Sequence, residues 1–494
     1  MKKTSAIILA GALLLTGCSS KSVSQSSPES SGSSSAQTSA ERKEDIVLTM
    51  ACSSDPWEGM QELIDRFNAE DNGVRIEIKQ FWDSLDENGM PIGMTDDIQK
   101  QIDFQVAQEL INKDTIDIVG VFSFADGAKY EIFKRKGGFV NLYTFMENDP
   151  EVNRDTINSH ILDLCERDGK LYSIPTHYWA NSMMGKSKYV GTKQNWTIDE
   201  FIDRWNAMPE GSTVNRSKTS EGIYYDVLRQ NTSAFIDYVN CEVHFDDPDF
   251  RKMLEFCKQF PSNMGQKSDD DYNYKTPQLV DNLRLTGYQA AIVSDMDYSN
   301  YETRAYRLRD GSYTLVGYPT SDRSGAYLSG QGEVSIRSNI SKEKQEAAWK
   351  FIREFYLEQY QTDSYAKREE FTNPETGETI VQYSFIDGFP INNAARKKIA
   401  QNYLNGEYEG SGNELSVGGK EITQLNELKP EQADIDFIDG YIDSIDRWEF
   451  PYTVRDLFWI VEEEVMTYLQ DGQDIDTAIE HIQNRASIWI SEQA

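Results

Sequence analysis

From Ile46 onward the chain alternates two hydrophobic periods, and this alternation constrains the fold more than any other feature. "IVLTMA" is an apolar run of strand length. "GMQELIDRFNAED" follows it with Met60, Leu63, Ile64 and Phe67 at helical spacing. "GVRIEIKQF" alternates as a strand, and "TDDIQKQIDFQVAQELINK" predicts a helix with a Thr-Asp start suited to capping. "TIDIVGV" reads as a third strand, with a helix expected over 126–136. Strand–helix–strand repetition implies an α/β domain with a largely parallel sheet. Near residue 176 the style changes. "WTIDEFIDRWNAM", "DDPDFRKMLEFCKQF" and "SKEKQEAAWKFIREFYLEQY" predict helices, while "GYQAAIVSDMDYSN", "YTLVGYP" and "EVSIRSNI" contain strands. The 494 residues exceed one comfortable core and suit two lobes.

The segment ahead of this pattern indicates where the protein works. Lys2 and Lys3 precede "SAIILAGALLL" and "LTGC". A positive head, a short apolar run and small residues form a secretory signal over residues 1–17, too short to remain as a membrane span. "LTGC" resembles the lipobox of bacterial lipoproteins, in which the cysteine, here Cys18, becomes lipid-modified and N-terminal. Residues 18–44 then form a serine-rich tether that cannot bury a core. The expected location is the outer side of the cell membrane, held by the lipid (palmitate-type) anchor.

Charge excludes one class of partner. Asp and Glu number 82 against 49 Lys and Arg, a formal net charge of −33. Such a surface repels phosphate backbones, so no nucleic acid is expected. It also disfavours anionic ligands unless a local basic pocket holds them. Cys52, Cys165, Cys241 and Cys257 contain no C-x-x-C pair, and no metal-site spacing occurs. Buried thiols are expected, with a Cys241–Cys257 disulfide as the alternative. The acidic run "DIDFIDGYIDSID" fails the calcium-loop register, because Ile438 and Asp439 stand where an acid and a glycine belong. Ile435, Ile438, Ile442 and Ile445 instead make one helix face. Neither a zinc helix nor a nucleophile elbow is present, and no cofactor or metal is expected.

The lipobox, the serine-rich segment and "IVLTMACSSDPWEGMQELIDRFNAEDNGVRIEI" together resemble the extracellular solute-binding proteins of ABC transporters. More narrowly, they are similar to the sugar-binding family that includes maltose-binding protein. "YTLVGYPTSDRSGAYLSGQGEVSIRSNISKEKQEAAWKFIREFY", "DGFPINNAARKK" and "EEEVMTYLQDGQDIDTAIEHIQNRASIWISEQ" extend the likeness over nearly the whole mature chain. The resemblance implies a two-lobed, type II periplasmic-binding-protein fold, each lobe a mostly parallel sheet flanked by helices, with ligand in the cleft between them. The first lobe would take residues 45–175 and 318–340, and the second 176–317 and 341–494. The implied partners are a carbohydrate and membrane permease subunits, and the implied state is a monomer.

In open α/β sheets ligands sit outside the carboxyl ends of the strands. Trp57 follows the first strand, Trp82 and Asp83 follow the second, and Phe122 and Phe124 follow the third. Tyr178 and Trp179 stand at the crossing between lobes, and Asp295 and Tyr298 at a strand end of the second lobe. Aromatic faces match the C–H face of a pyranose, and carboxylates accept from its hydroxyls. Trp57, Trp82, Asp83, Tyr178, Trp179, Asp295 and Tyr298 are therefore the candidate ligand residues, with Phe122, Phe124 and Trp349 assigned to the core. The expected activity is binding, not catalysis. The alternatives are a receptor for a peptide or other solute on the same fold, and a secreted glycosidase using Asp83 and Asp295.

Overall fold

The computed structural model describes residues 45–54, 56, 58–83, 93–112, 115–125, 127–237, 240–262, 276–297, 302–372, 379–386, 388–408, 429–449 and 455–492. They belong to one compact unit, Asp45–Ala494. Cys18, Trp57, Tyr298 and the signal and tether segments lie outside the described residues, as does the side chain of Asp295.

The opening alternation folds as its periods require. Strand β1 (Ile46–Cys52), helix α1 (Glu58–Ala69), β2 (Val74–Gln80), α2 (Asp96–Asn112), β3 (Ile118–Gly120) and α3 (Gly127–Arg135) follow in order. β1 pairs in parallel with β2 from Ile46↔Val74 to Cys52↔Gln80, and with β3 at Met50↔Ile118. Leu48 and Met50 bury one face of β1 against Met60, Leu63, Ile64 and Phe67 of α1. Ala51 faces the other way, into a core with Ile102, Val106 and Leu110 of α2. A parallel sheet covered on both faces is the result.

The chain then crosses to a second sheet. Its central strand is β4 (His177–Lys186), joined antiparallel by β5 (Asp281–Leu285), β6 (Tyr313–Leu315) and β7 (Tyr327–Gln331). Immediately afterwards β8 (Val334–Ile336) returns to the first sheet, antiparallel to β3. The order there is β8-β3-β1-β2. Helix α4 (Lys342–Ile352) is capped by the Ser341 side chain. Short strands β9 (Phe389–Pro390) and β10 (Trp448–Glu449) then complete the second sheet on β4 and β7.

The α/β architecture with helices flanking two sheets agrees with the sequence reading, but three details differ. The second sheet is antiparallel around β4, not mostly parallel. β7, expected in the first lobe with 318–340, pairs with β4, so the return crossing falls between Gln331 and Val334. Residue 341 does not begin the second lobe: Phe351 of α4 meets Phe67 edge-on at 5.1 Å, and Lys344 pairs with Asp117 beneath β1 at 2.8 Å. Periodicity reports which side of a strand is apolar and not which sheet it joins, and these segments lie next to both.

One hydrophobic core runs from the α1 face of the first sheet to the Tyr178 face of the second. Another, built on Trp196, Phe201, Phe245, Phe250 and Phe256, fills the opposite side of the second sheet. Each such buried side chain contributes about 1.5–3 kcal/mol of transfer free energy. The helix predicted around Trp205 begins with a reciprocal Thr197–Glu200 capping box, and the next with Asp247 and Pro248. The acidic run is the helix Gln432–Asp443, with Ile435, Ile438 and Ile442 buried. Trp349 is buried and stacks on Phe145, as its helix face implied. The four described cysteines are unbridged, three of them buried. Burial pushes the Cys52 thiol up to about 12, so it is inert.

Candidate functional site

Two crossing segments join the sheets. Ile174 bridges Val334, and the Thr176 amide donates to the Gln331 carbonyl at 2.9 Å. Gly332 sits between them in the left-handed region, with φ at +75°. A Cβ there would strike the Thr176 side chain, so glycine is required twice over. Beneath this junction Lys134 is buried between Glu131 at 2.6 Å and Glu333 at 2.8 Å, and Arg167 reaches Glu131 at 3.1 Å. Burial alone would depress the Lys134 pKa, yet the two carboxylates raise it above the usual lysine value. Removing both acids would strand a buried cation.

Next to the junction lies a cavity of about 1230 Å³. Its floor follows from strand register. On β4 successive side chains point to opposite faces, so His177, Trp179 and Asn181 share one face. β7 sets Gln331 opposite His177, Ser329 opposite Trp179 and Tyr327 opposite Asn181. On the other edge Arg284 of β5 stands opposite Asn181. Trp179, Asn181, Tyr327, Ser329, Gln331 and Arg284 all line the cavity. The Asn181 amide donates to Ser329 Oγ at 3.2 Å. The walls come from both sides of the crossing: Lys134, Arg135, Glu166 and Tyr172 from one, and Arg229, Trp448 and Phe458 from the other.

His177, at the crossing end of the same face of β4, lines a smaller neighbouring cavity of about 540 Å³. Its Nε2 accepts from the Gln331 amide at 2.6 Å, which leaves the proton on Nδ1 to donate to Thr176 Oγ1 at 2.9 Å. Thr176 Oγ1 in turn donates to the Gln331 carbonyl at 3.1 Å. This chain accommodates only a neutral imidazole. Burial, and then the Arg284 charge, lower the His177 pKa to about 4.

The expected ligand residues divide. Trp179 lines the cavity but is only 5% exposed. Tyr178 faces the opposite side of β4, fully buried, within hydrogen-bonding reach of Asn158 and Arg396. Adjacent strand residues cannot share a face, so Tyr178 is corrected from ligand residue to core. Trp82 is half-buried against the α2-side core with Phe81, and Asp83 is exposed beside it; neither lines this cavity. Asp295 belongs to a strand, Ile292–Asp297, that pairs only with Glu302–Arg307 among the described residues, outside both main sheets. Phe122 and Phe124 line the smaller cavity, at the end of β3, together with Phe355, Tyr360 and Tyr365. Sequence reading missed Asn181, Arg284, Tyr327, Ser329 and Gln331. The alternation in "THYWANS" and "YLSGQ" was the available signal.

No protein-family model matches the chain, and no curated protein matches it. Solved structures similar to it are extracellular solute-binding proteins. One is an ABC substrate-binding protein from Listeria monocytogenes in complex with cycloalternan, 14% identical, covering 91% of this chain and 99% of its own, at a TM-score of 0.46. Another is an extracellular solute-binding protein of family 1 from Alicyclobacillus acidocaldarius, 12% identical, covering 91% and 99%, at 0.49. A third is the sugar-binding protein MalE from Xanthomonas citri, 10% identical, covering 91% and 98%, at 0.48. Likenesses this distant leave the site to be argued from its own side chains.

Proposed function

We propose that the protein is the lipid-anchored, extracellular binding component of an ABC importer, which holds a carbohydrate in the cleft over β4 and β7 and delivers it to a membrane permease. The observation that carries this reading is the cleft floor, where the rings of Trp179 and Tyr327 alternate with the amides and hydroxyl of Asn181, Gln331 and Ser329 at the junction of two sheets. Short neutral donors and acceptors set on a bed of buried aromatic rings suit a polyhydroxylated ligand. The volume of about 1230 Å³ exceeds the roughly 300–1,000 Å³ of ordinary small-molecule sites, which favours an oligosaccharide over a single ring. Walls supplied from both sides of the crossing support closure, since a ligand touching both stabilises the state that brings them together.

Binding without chemistry fits the acids of the cavity. Glu449, one of the five acids in the lining, is held in place by Arg447 and by the Ser233 hydroxyl. The test is a thermal-shift and calorimetric screen of neutral and acidic oligosaccharides, followed by solution scattering and chromatography of the recovered sugar. One saccharide class should raise the melting temperature, reduce the radius of gyration and be recovered intact. Binding of peptides with no response to any saccharide would overturn the carbohydrate reading, and steady turnover would replace it with an enzyme.

A further inference from the structure

We infer that the smaller cavity, at the carboxyl end of β3, is a binding site of its own and takes an uncharged aromatic ring. The inference goes beyond the carbohydrate reading and does not depend on it. Topology supplies the first observation. In the order β8-β3-β1-β2, β2 lies on one side of β1 and β3 on the other, so the switch point falls between β1 and β3. Open α/β sheets bind ligands outside the strand ends at such a point. Here the two ends are tied together, since the Ser53 amide and hydroxyl both donate to the Phe122 carbonyl, at 3.0 and 2.8 Å. Val121, Phe122 and Phe124, where the chain leaves β3, line the cavity.

Its walls are rings fixed by other rings. Phe124 stacks on Phe133 at 5.9 Å, Phe355 and Tyr360 meet edge-on at 5.7 Å, and Tyr365 meets Phe385 edge-on at 5.7 Å. Walls pinned in this way are ordered before a ligand arrives, which lowers the entropic cost of binding. A volume of about 540 Å³ falls within the roughly 300–1,000 Å³ of small-molecule sites, and about 150 Å³ already admits benzene.

The polar side chains of the lining are engaged in holding the crossing. Both His177 ring nitrogens are used, by Gln331 and by Thr176. The Gln361 amide donates to the Thr176 and Phe355 carbonyls at 2.6 and 3.0 Å, and its oxygen accepts from the Asn392 amide at 2.8 Å. Among the described residues no charged side chain lines the cavity. A sugar entering here would exchange water for few new hydrogen bonds, and an ion would lose still more. An aromatic ring carries neither cost and meets the wall rings in the offset or edge-on arrangements they favour. Ser364, half-buried in the lining, adds one hydroxyl for a polar substituent on that ring.

The test is calorimetry and thermal shift of the full chain with indole and benzyl alcohol as probes, and benzoate and cyclohexylmethanol as controls. Both probes should bind one-to-one and raise the melting temperature. Benzoate should bind at least about tenfold more weakly than benzyl alcohol, because its charge is desolvated. Cyclohexylmethanol should bind roughly twofold to tenfold more weakly, for want of ring–ring contacts. Ser364→Leu and Ala125→Leu fill the cavity from two sides at half-buried positions, so each should keep a cooperative melting transition and weaken benzyl alcohol binding at least about tenfold. Absence of binding by both probes would overturn the inference. So would probe affinity unchanged in the two filled variants, or benzoate or cyclohexylmethanol binding as tightly as benzyl alcohol. The saccharide screen decides the carbohydrate reading separately, whichever way these measurements fall.

Discussion

At the scale of single residues the crossing is governed by side chains held in one protonation state or one orientation. His177 is the clearest case. In the unfolded chain an imidazole titrates near 6.5, whereas in the fold burial and Arg284 bring it to about 4. Between those values the unfolded state binds more protons than the native one, so stability rises with pH. Acidifying from pH 7 to pH 4 should cost about 3 kcal/mol through this residue alone. Urea unfolding of His177→Gln across pH 4 to 7 should show a flatter slope than the parent over that window, whatever its absolute stability. Equal slopes would mean that the imidazole is already charged in the fold. The same scale shows what was legible in advance. Trp179 was readable as a cleft residue because it stands at a crossing beside small polar residues. Tyr178, its neighbour, was misplaced because residue type alone does not tell which face a strand position takes; the pleat does.

At the scale of elements, the first sheet was legible and the crossing was not. β1, α1 and β2 carry unmixed periods, and their burial repeats the pattern of their sequences. β7 and β8 lie two residues apart and join different sheets, a choice made by the long-range partners β4 and β3. The hinge between them depends on Gly332, and this is testable against Gly137, which shares a positive φ but would meet nothing within 4 Å if given a Cβ. Gly137→Ala should cost about 1–2 kcal/mol, the left-handed penalty alone. Gly332→Ala should cost more, because the methyl group also displaces Thr176, which holds the Gln331 carbonyl. Chemical denaturation of both variants measures the difference. Equal losses would show that the two crossing segments have room to separate.

At the scale of the whole molecule, charge bears on the proposed membrane attachment. The net charge of −33 is read directly from composition. The mixture of six bases and five acids around the cleft is not, because residues such as Arg135, Arg229, Arg284 and Arg447 come from four distant segments that only the fold assembles. An acidic body near an anionic membrane is repelled within a Debye length, about 8–10 Å at physiological salt. One acyl chain holds a protein only weakly, and two hold it stably, so attachment should depend on the complete lipid modification of Cys18. Replacing Cys18 by Ala should release the protein into the medium or leave an uncleaved precursor, as read by fractionation and N-terminal mass. Ligand affinity of the recovered chain should be unchanged, since the cavity is lined entirely by residues beyond position 130. Retention in the membrane with normal N-terminal processing would remove the lipid anchor from the proposed function and leave the cleft argument standing.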